Sequence, residues 1–550
     1  MTSAPDRRRP ESPAPTAAED GIARYIVTGT AANYLGQFMI LAVWFFLTPF
    51  ILHTLGATQY SLWVLVASVL AYGQLFDLGI NDAVAKYTAE FRARGDDATA
   101  ASLMLSAGLA HGDDVARGLL VAAIGVTLAP ALVSVLNVPP SEQDTAVTLV
   151  RVTAIGVAID LPAGTAYAVL RGLHRFDLVN VITSLGMLAL AAVTVTVLEL
   201  GGGVVVMSAA VIPITLLWQI VAIGFIHRHA PGLIFGFGGP RRELVREVTS
   251  FGGALFGINV AETVKTRSSE VVIGAVLPVA AVAPFSVARR VSELPEMLTR
   301  QFVAVLMPLS SKLSAEGHGE MLRGIYVAAT RIALAVFAAI GIPMVVYAHE
   351  LLTAWVGPRY AGDAIVLVIL ALAGLVKVAT LPSLLMLQGI DRHRPLVVFA
   401  VGSAVLNLAL AIPLAHRHGV EGVAYATLIA IAAELMAAVP YGMRTLGVPA
   451  RELLGRAVAP TVLAGVPAVL LAVVLREAVA PSSLIVVGAV AVPPVLAFGL
   501  TYLALPQTWR ERSYLRGAAG ALRDRRRSVV PGVEGGPAGL PGEAPDDPGA

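Results

Sequence analysis

The chain has 550 residues, of which 56% are hydrophobic and 14% charged, with a formal net charge of +2. Soluble domains carry about 25% charged residues, so a water-facing surface of this size, and with it a soluble enzyme, is excluded. There is no cysteine, which removes disulfide frameworks and thiolate metal sites.

Residues 1–24 carry Arg7, Arg8 and Arg9 among Pro and Ala, have nothing to bury, and are expected to form a disordered tail. The first apolar run, at 30–52, is too long for a signal peptide's hydrophobic segment and lacks a small-residue cleavage site. It is long enough to cross a hydrocarbon core of about 30 Å, which takes about 20 helical residues. Further runs at 60–80, 115–136, 146–169, 178–198, 204–226, 249–276, 283–308, 323–347, 364–387, 395–415, 420–442, 457–475 and 483–505 bring the expected spans to fourteen. Residues 83–110 mix apolar and charged side chains and predict an interfacial helix leading into the third span. The last 20 residues, 11 of them Pro or Gly, predict a second disordered tail.

Lys and Arg distribute unevenly over the connections. The tails and every second connection hold 29 of the 39, and the alternate connections hold only Arg151, Arg359, Arg417 and Arg476. Short cytoplasmic loops collect these residues, so both termini are expected in the cytoplasm and the number of spans is expected to be even.

The chain also repeats itself. Residues 132–146, LVSVLNVPPSEQDTA, lead through a span to AVLRGLHR at 168–175; residues 351–364, LLTAWVGPRYAGDA, lead through a span to LMLQGIDR at 385–392. RARGDDATAASL from Arg92 corresponds loosely to SAEGHGEMLRGI from Ser314. Six spans separate the copies, so they share one orientation, as expected for repeats related by an axis along the membrane normal. The expected architecture is all-α: a tail (1–24), an N-terminal six-helix bundle (25–246), a C-terminal six-helix bundle (247–445), two added helices (446–505) and a basic, then Pro/Gly-rich tail (506–550).

LGATQYSLWVLVAS at 55–68, FDLGINDAVAKYTAE at 76–90, the LRGLHR and LQGIDR turns, and a basic stretch before TSFGGALFG at 249–257 together resemble the polysaccharide, O-antigen and teichoic-acid export flippases of the multidrug/oligosaccharidyl-lipid/polysaccharide exporter superfamily. The resemblance runs from about Arg24 to Pro506. It implies a MATE-like pair of bundles that moves a polyprenyl-diphosphate-linked oligosaccharide across the cytoplasmic membrane by alternating access, without cofactor. Its partners would be that cargo, membrane lipids and the polymerase or glycosyltransferases of the same pathway; nothing points to nucleic acid. The peptidoglycan-precursor branch places arginines in its first span, whereas here nothing charged lies between Arg24 and His53.

Charges inside a span cost roughly 2.5 to 3.5 kcal/mol each on insertion scales, so they normally face an interior or a water-filled cavity. The seventh span holds Glu262, Lys265, Arg267 and Glu270; at 100° per residue Asn259, Glu262, Lys265, Thr266 and Ser269 share a face that Arg267 lies off. The eighth holds Arg289, Arg290, Glu293, Glu296 and Arg300, with Pro295 as a kink. Two readings compete. Lys265, Arg267, Arg289, Arg290 and Arg300 are candidate ligands for diphosphate, because arginine presents a fork of donors matched to phosphate oxygens; alternatively Arg289 with Glu293, and Glu296 with Arg300, are i,i+4 partners that neutralise one another. The first two spans offer only Asn33, Gln37, Gln74 and Asp77, so diphosphate binding is expected to be asymmetric and dominated by the second bundle. Asp77, Glu262 and Glu434 are candidate proton-coupling carboxylates, with Asp160 and Lys377 as weaker singletons; the alternative for each is a satisfied group at a helix end. The boundary histidines read as snorkelling or loop residues, not metal ligands.

GxxxxGK[ST], HExxH and GxSxG are all absent, which disfavours ATP-driven transport and hydrolases. A cationic-drug antiporter on the same bundles fits poorly with five cations on two spans. A membrane glycosyltransferase, ligase or polymerase would need an outer domain for its acceptor, and the longest outer connection is only about 349–363.

Because no native cysteine competes, single cysteines replacing Ser141, Gly202 or Ala361 are expected to react with an impermeant thiol reagent added outside cells, and one replacing Arg241 is not. Labelling of the Arg241 position from outside would overturn the topology.

Overall fold

The computed structural model describes residues 17–77, 80–94, 113–229 and 260–508, all helices and short connections. In lipid every backbone N–H and C=O must be satisfied within the segment, and a helix does this locally. Residues 1–16 and 509–550 of the expected tails, the 95–112 segment and the bundle boundary at 246 lie outside the described residues; residues 17–24, expected as disordered tail, instead begin the first helix, and 506–508 form a 3-10 turn.

The helix Ala17–Leu70 breaks at Gly56, whose φ of 75° is left-handed, into α1 (17–55) and α2 (57–70); glycine alone adopts this geometry freely. A 3-10 segment, Ala71–Asp77, extends α2, so the end of the expected second span is not α-helical. Then follow α3 (Ile80–Ala93), α4 (Asp113–Val135), α5 (Gln143–Gly172), α6 (Phe176–Glu199), α7 (Val204–His229), α8 (260–276), α9 (Val282–Val303), α10 (Leu306–Ala315), α11 (Gly319–Val346), α12 (Ala348–Val356) and α13 (Ala364–Gly389). Arg394–Thr445 breaks at Gly419, φ 58°, into α14 (394–418) and α15 (420–445), and α16 (Ala450–Val479) and α17 (Leu484–Ala504) close the described chain.

Ten of these helices are long and apolar enough to cross a membrane, two of them being the broken pairs α1–α2 and α14–α15. With α8, described only from 260, and α9, which carries five charges, the described residues hold the fourteen helices that the expected topology assigns to spans. The protein is a multi-pass, all-α membrane protein. The eighth span ends at Val303, earlier than its apolar run predicts, and α10 is a separate short helix. α3 buries Ala83, Val84, Tyr87 and Thr88 on one face and exposes Lys86 and Arg92, as an interfacial helix should.

The repeat is visible at the level of single hydrogen bonds. In the LRGLHR turn the amides of Leu173, His174 and Arg175 donate to the carbonyls of Val169, Arg171 and Leu170; in LQGIDR those of Ile390, Asp391 and Arg392 donate to Met386, Gln388 and Leu387. His174 and Asp391 have φ of 57° and 56°. Gly172 lets α5 approach Ala85 and Thr88 of α3, and Gly389 lets α13 approach Met307 and Ser310 of α10. Thus α3 and α10 are counterparts, each following the second span of its bundle.

α1, α2 and α4–α7 form the first bundle; α8, α9, α11 and α13–α15 form the second. At the end with few Lys and Arg, one apolar core runs through both, from Ile51, Tyr60 and Val138 to Phe285, Trp355 and Tyr360. Asn137 stitches it, its N–H and Nδ2 donating to the carbonyls of Gly274 (2.8 Å) and Ala275 (2.9 Å). Trp355 adds a stack on Phe45 with centroids 5.1 Å apart and donates Nε1–H to the Phe45 carbonyl at 2.8 Å. At the basic end the cores are separate, one around Val84, Val169 and Ile226 and the other around Leu306, Tyr326 and Met386. The two bundles are thus joined at one end and divided at the other.

α16 and α17 pack on α11. Ala464, Ala468 and Ala472 recur at every fourth residue and are fully buried, the small-residue stripe by which helices pack closely in lipid. Tyr347 donates its hydroxyl to the Ala472 carbonyl at 3.0 Å, and Arg476 pairs with Glu350 at 2.6 Å.

A Cβ on Gly389 would meet the Met307 carbonyl, so Gly389→Ala is expected to cost about 1 to 3 kcal/mol of stability, as overpacking does. His174→Gly, which relieves a left-handed backbone costing roughly 1 to 2 kcal/mol in L-residues, is expected to raise it. Thermal unfolding midpoints of the purified variants would check both; a Gly389→Ala midpoint equal to wild type would refute the close approach.

Candidate functional site: a charged seam in the second bundle

α8 and α9 are placed side by side by a tight connection, the 3-10 turn Val279–Ala281 after Pro278. α9 is amphipathic: Val282, Phe285, Val287, Ala288 and Val291 are buried in the core, and its charges project from the remaining faces. Pro295 removes one backbone donor inside the helix, and Thr299 Oγ1 donates to the Pro295 carbonyl at 2.7 Å.

Four cations are satisfied by carboxylates. Lys265 Nζ, 6% exposed, lies 2.7 Å from Glu434 and 3.3 Å from Glu262. Lys377 reaches Glu262 at 2.9 Å and Glu296 at 3.1 Å. Arg300 donates to Glu296 at 2.8 Å and comes within 3.9 Å of Glu262. Arg289 donates to Glu293 at 2.8 Å and contacts the fully buried Glu270 at 2.7 Å. Both i,i+4 pairs read from the spacing therefore form, and long-range partners from α8, α13 and α15 close the network around them.

Arg267 and Arg290 differ: among the described residues neither has an ion-pair partner. Arg267 is half-buried, within electrostatic reach of Arg289, Arg290, Glu270 and Glu293. Arg290 lays its guanidinium over Trp44, 4.4 Å from the ring centroid, with Trp63 at 6.0 Å. It lines a cavity of about 170 Å³ between α1 and α9, together with Glu293 and Trp355. Six cations against five carboxylates leave the cluster one positive charge in excess, so it is not the strongly cationic surface that its arginines and lysine alone suggest.

Of the carboxylates singled out in the sequence, Glu262 and Glu434 sit inside this network as partners of Lys265 and Lys377. Asp160 is elsewhere, exposed to a cavity of about 330 Å³ in the first bundle. Asp77 ends the 3-10 segment, and its side chain, like those of Asn33, Gln37 and Gln74, lies outside the described residues. Lys377 is the residue that sequence reasoning undervalued: it interrupts the apolar run 364–387 alone, and a lone cation there requires a carboxylate on a facing helix. Trp44 and Trp63 carried no such signal, because aromatic residues in a span are ordinary core.

The family model described as "Polysaccharide biosynthesis protein" matches residues 113–365. The inward-facing conformation of a multidrug resistance MATE family transporter of the MOP superfamily superposes with a TM-score of 0.66 at 15% identity, covering 74% of this chain and 94% of that one. The chain shares the fold of that transporter. A second structure, the lipid II flippase MurJ in its inward closed conformation, gives 0.65 at 12% identity over 87% of this chain and 99% of that one. The outward-facing conformation of a multidrug resistance MATE family transporter gives 0.55 at 16% identity over 77% and 95%. No curated protein matches the sequence.

Removing one member of a buried ion pair costs about 3 to 5 kcal/mol, whereas replacing both by apolar groups is often neutral. Lys265→Met is therefore expected to lower the unfolding midpoint and the yield sharply, and the double variant Lys265→Met, Glu434→Leu to recover most of the loss. A double variant no better than the single one would show that the pair is not the structural unit.

Proposed function

We propose that the protein is a flippase that carries a polyprenyl-diphosphate-linked oligosaccharide across the cytoplasmic membrane. The observation that carries this reading is Arg290, an arginine in the seam between bundles that has no carboxylate partner among the described residues. A diphosphate passing through a medium of low dielectric needs fixed positive charge on its path, since an unpaired anion there costs many kcal/mol. Arg289 and Arg300 are occupied by glutamates and hold the seam in shape; Arg290, supported by Arg267, is free to exchange the Trp44 ring for phosphate oxygens.

The division of the core fits transport by alternating access. With the basic end in the cytoplasm, as the Lys and Arg distribution argues, the bundles are closed toward the outside and parted toward the inside, so Arg290 is approached from the leaflet where lipid-linked sugars are made. The better superposition on the inward-facing than on the outward-facing MATE structure supports this state. The LRGLHR and LQGIDR turns, the family model and the shared fold support carriage of polysaccharide precursors, with the polymerase or glycosyltransferases of the same pathway as partners. In this reading the domains divide at about 246 and 445, and both tails are cytoplasmic.

Deletion is expected to trap lipid-linked oligosaccharide on the cytoplasmic face while its synthesis continues. Arg290→Gln is expected to cut export at least about tenfold, the worth of a charge-assisted contact to phosphate, at unchanged protein level. Arg289→Gln should lower the protein level as well, because it orphans Glu270. Normal export by a well-expressed Arg290→Gln variant, or normal surface polysaccharide with loss of drug resistance on deletion, would overturn the proposal, the latter in favour of an antiporter.

A further inference from the structure

The first bundle contains a cavity of about 330 Å³, at the lower end of the roughly 300 to 1,000 Å³ typical of small-molecule sites. Its walls are built at helical spacing. Thr153 and Asp160 stand two turns apart on one face of α5, and Ser208 lies opposite on α7, with Thr194 of α6 between them. The rest of the wall is apolar: Trp44 and Trp63, whose rings lie 6.0 Å apart, stand beside Leu47, Ile51, Leu190, Met207 and Ile212. Trp44 also bears Arg290, so it separates this cavity from the seam.

Two of the hydroxyls are anomalous. In a span, a serine or threonine normally returns its proton to the carbonyl one turn back, as Thr48, Thr183, Thr196, Thr266 and Thr330 do here. Thr153 Oγ1 and Ser208 Oγ are buried with no hydrogen-bond partner. Buried polar atoms left unpaired are costly and call for a partner, and both belong to the cavity wall.

We infer that this cavity is a subsite for a neutral hexose, the sugar nearest the diphosphate; the inference rests on the flippase reading and deepens it. The unpaired hydroxyls of Thr153 and Ser208 match a ligand rich in hydroxyl groups, and the Asp160 carboxylate lines the same wall. The two indoles offer flat apolar faces with a polar edge, suited to a ring whose faces are C–H and whose rim is polar. No Lys or Arg stands among the residues lining the cavity to receive an acidic sugar, so a neutral one fits it. With diphosphate on Arg290, the first sugar falls across Trp44 into the first bundle, so the cargo spans both bundles, and each half of the repeat has a different task.

The test uses the purified full-length protein and two probes, geranylgeranyl diphosphate and geranylgeranyl diphosphate glucose, titrated by calorimetry. Wild type is expected to bind the glucosylated probe at least about tenfold more tightly, the worth of one to two ligand hydrogen bonds. Thr153→Val with Ser208→Ala, and separately Asp160→Asn, are expected to erase most of that gain while leaving the affinity for the bare diphosphate unchanged. Equal wild-type affinities for the two probes, or a gain that survives in both variants, would overturn the inference. A glucosylated probe that binds through the subsite while the bare diphosphate does not bind would keep it and sink the diphosphate reading of Arg290 instead.

Discussion

A charge in the hydrocarbon layer must be matched, and this requirement organises the second bundle. Each of Lys265, Lys377, Arg289 and Arg300 would be prohibitive alone; the first three are met by a carboxylate from a neighbouring helix, and Arg300 by Glu296 one turn away on its own helix. Because the partners come from α8, α9, α13 and α15, the same contacts that neutralise charge also fix the angles and register of those helices. An apolar interface could slide, lipid tails being as apolar as leucine. A set of ion pairs between 2.7 and 3.3 Å has one arrangement. The network is better understood as the frame that orients the seam than as a ligand site in its own right.

That frame explains why Arg290 stands out. It follows Arg289 in sequence, so it points about 100° away around the helix; Arg289 turns into the bundle and Arg290 turns toward the first bundle, over the rings of Trp44 and Trp63. Cation–π contact with Trp44 offsets part of the cost of burying the guanidinium, worth up to about 2 kcal/mol when desolvated, without neutralising it. A neighbour that steadies a charge but does not cancel it is what an exchangeable anion site requires.

The two bundles share a turn geometry down to single hydrogen bonds and yet differ in chemistry. The first bundle carries hydroxyls, Asp160 and tryptophans around its cavity; the second carries ionic groups. Symmetry governs the backbone, where Gly172 and Gly389 answer the same packing problem, and not the lining, which is free to diverge because it faces space and not another helix. Joining at the sparse end combines a continuous apolar core with polar inter-bundle contacts, Asn137 on α8 and Trp355 on α1.

The sequence alone was sufficient for the spans, their number, the repeat and the two i,i+4 pairs on α9. Each of these is local or additive: an apolar run must cross lipid, a glycine-bearing turn repeats its own hydrogen bonds, and residues four apart on a helix are neighbours whatever surrounds them. Even Arg290 could be separated from Arg289 by angle. The tertiary structure alone decided which carboxylate meets which cation across 115 residues, as with Glu262 and Lys377, or across 169, as with Lys265 and Glu434. It reduced a cluster that reads as five candidate phosphate ligands to two uncompensated arginines, and it brought Trp44, Trp63 and Asp160 to the walls of one cavity. Composition records how many charges a span must hide, but not the direction from which the partners arrive, because that direction is set by the packing of helices distant in the chain.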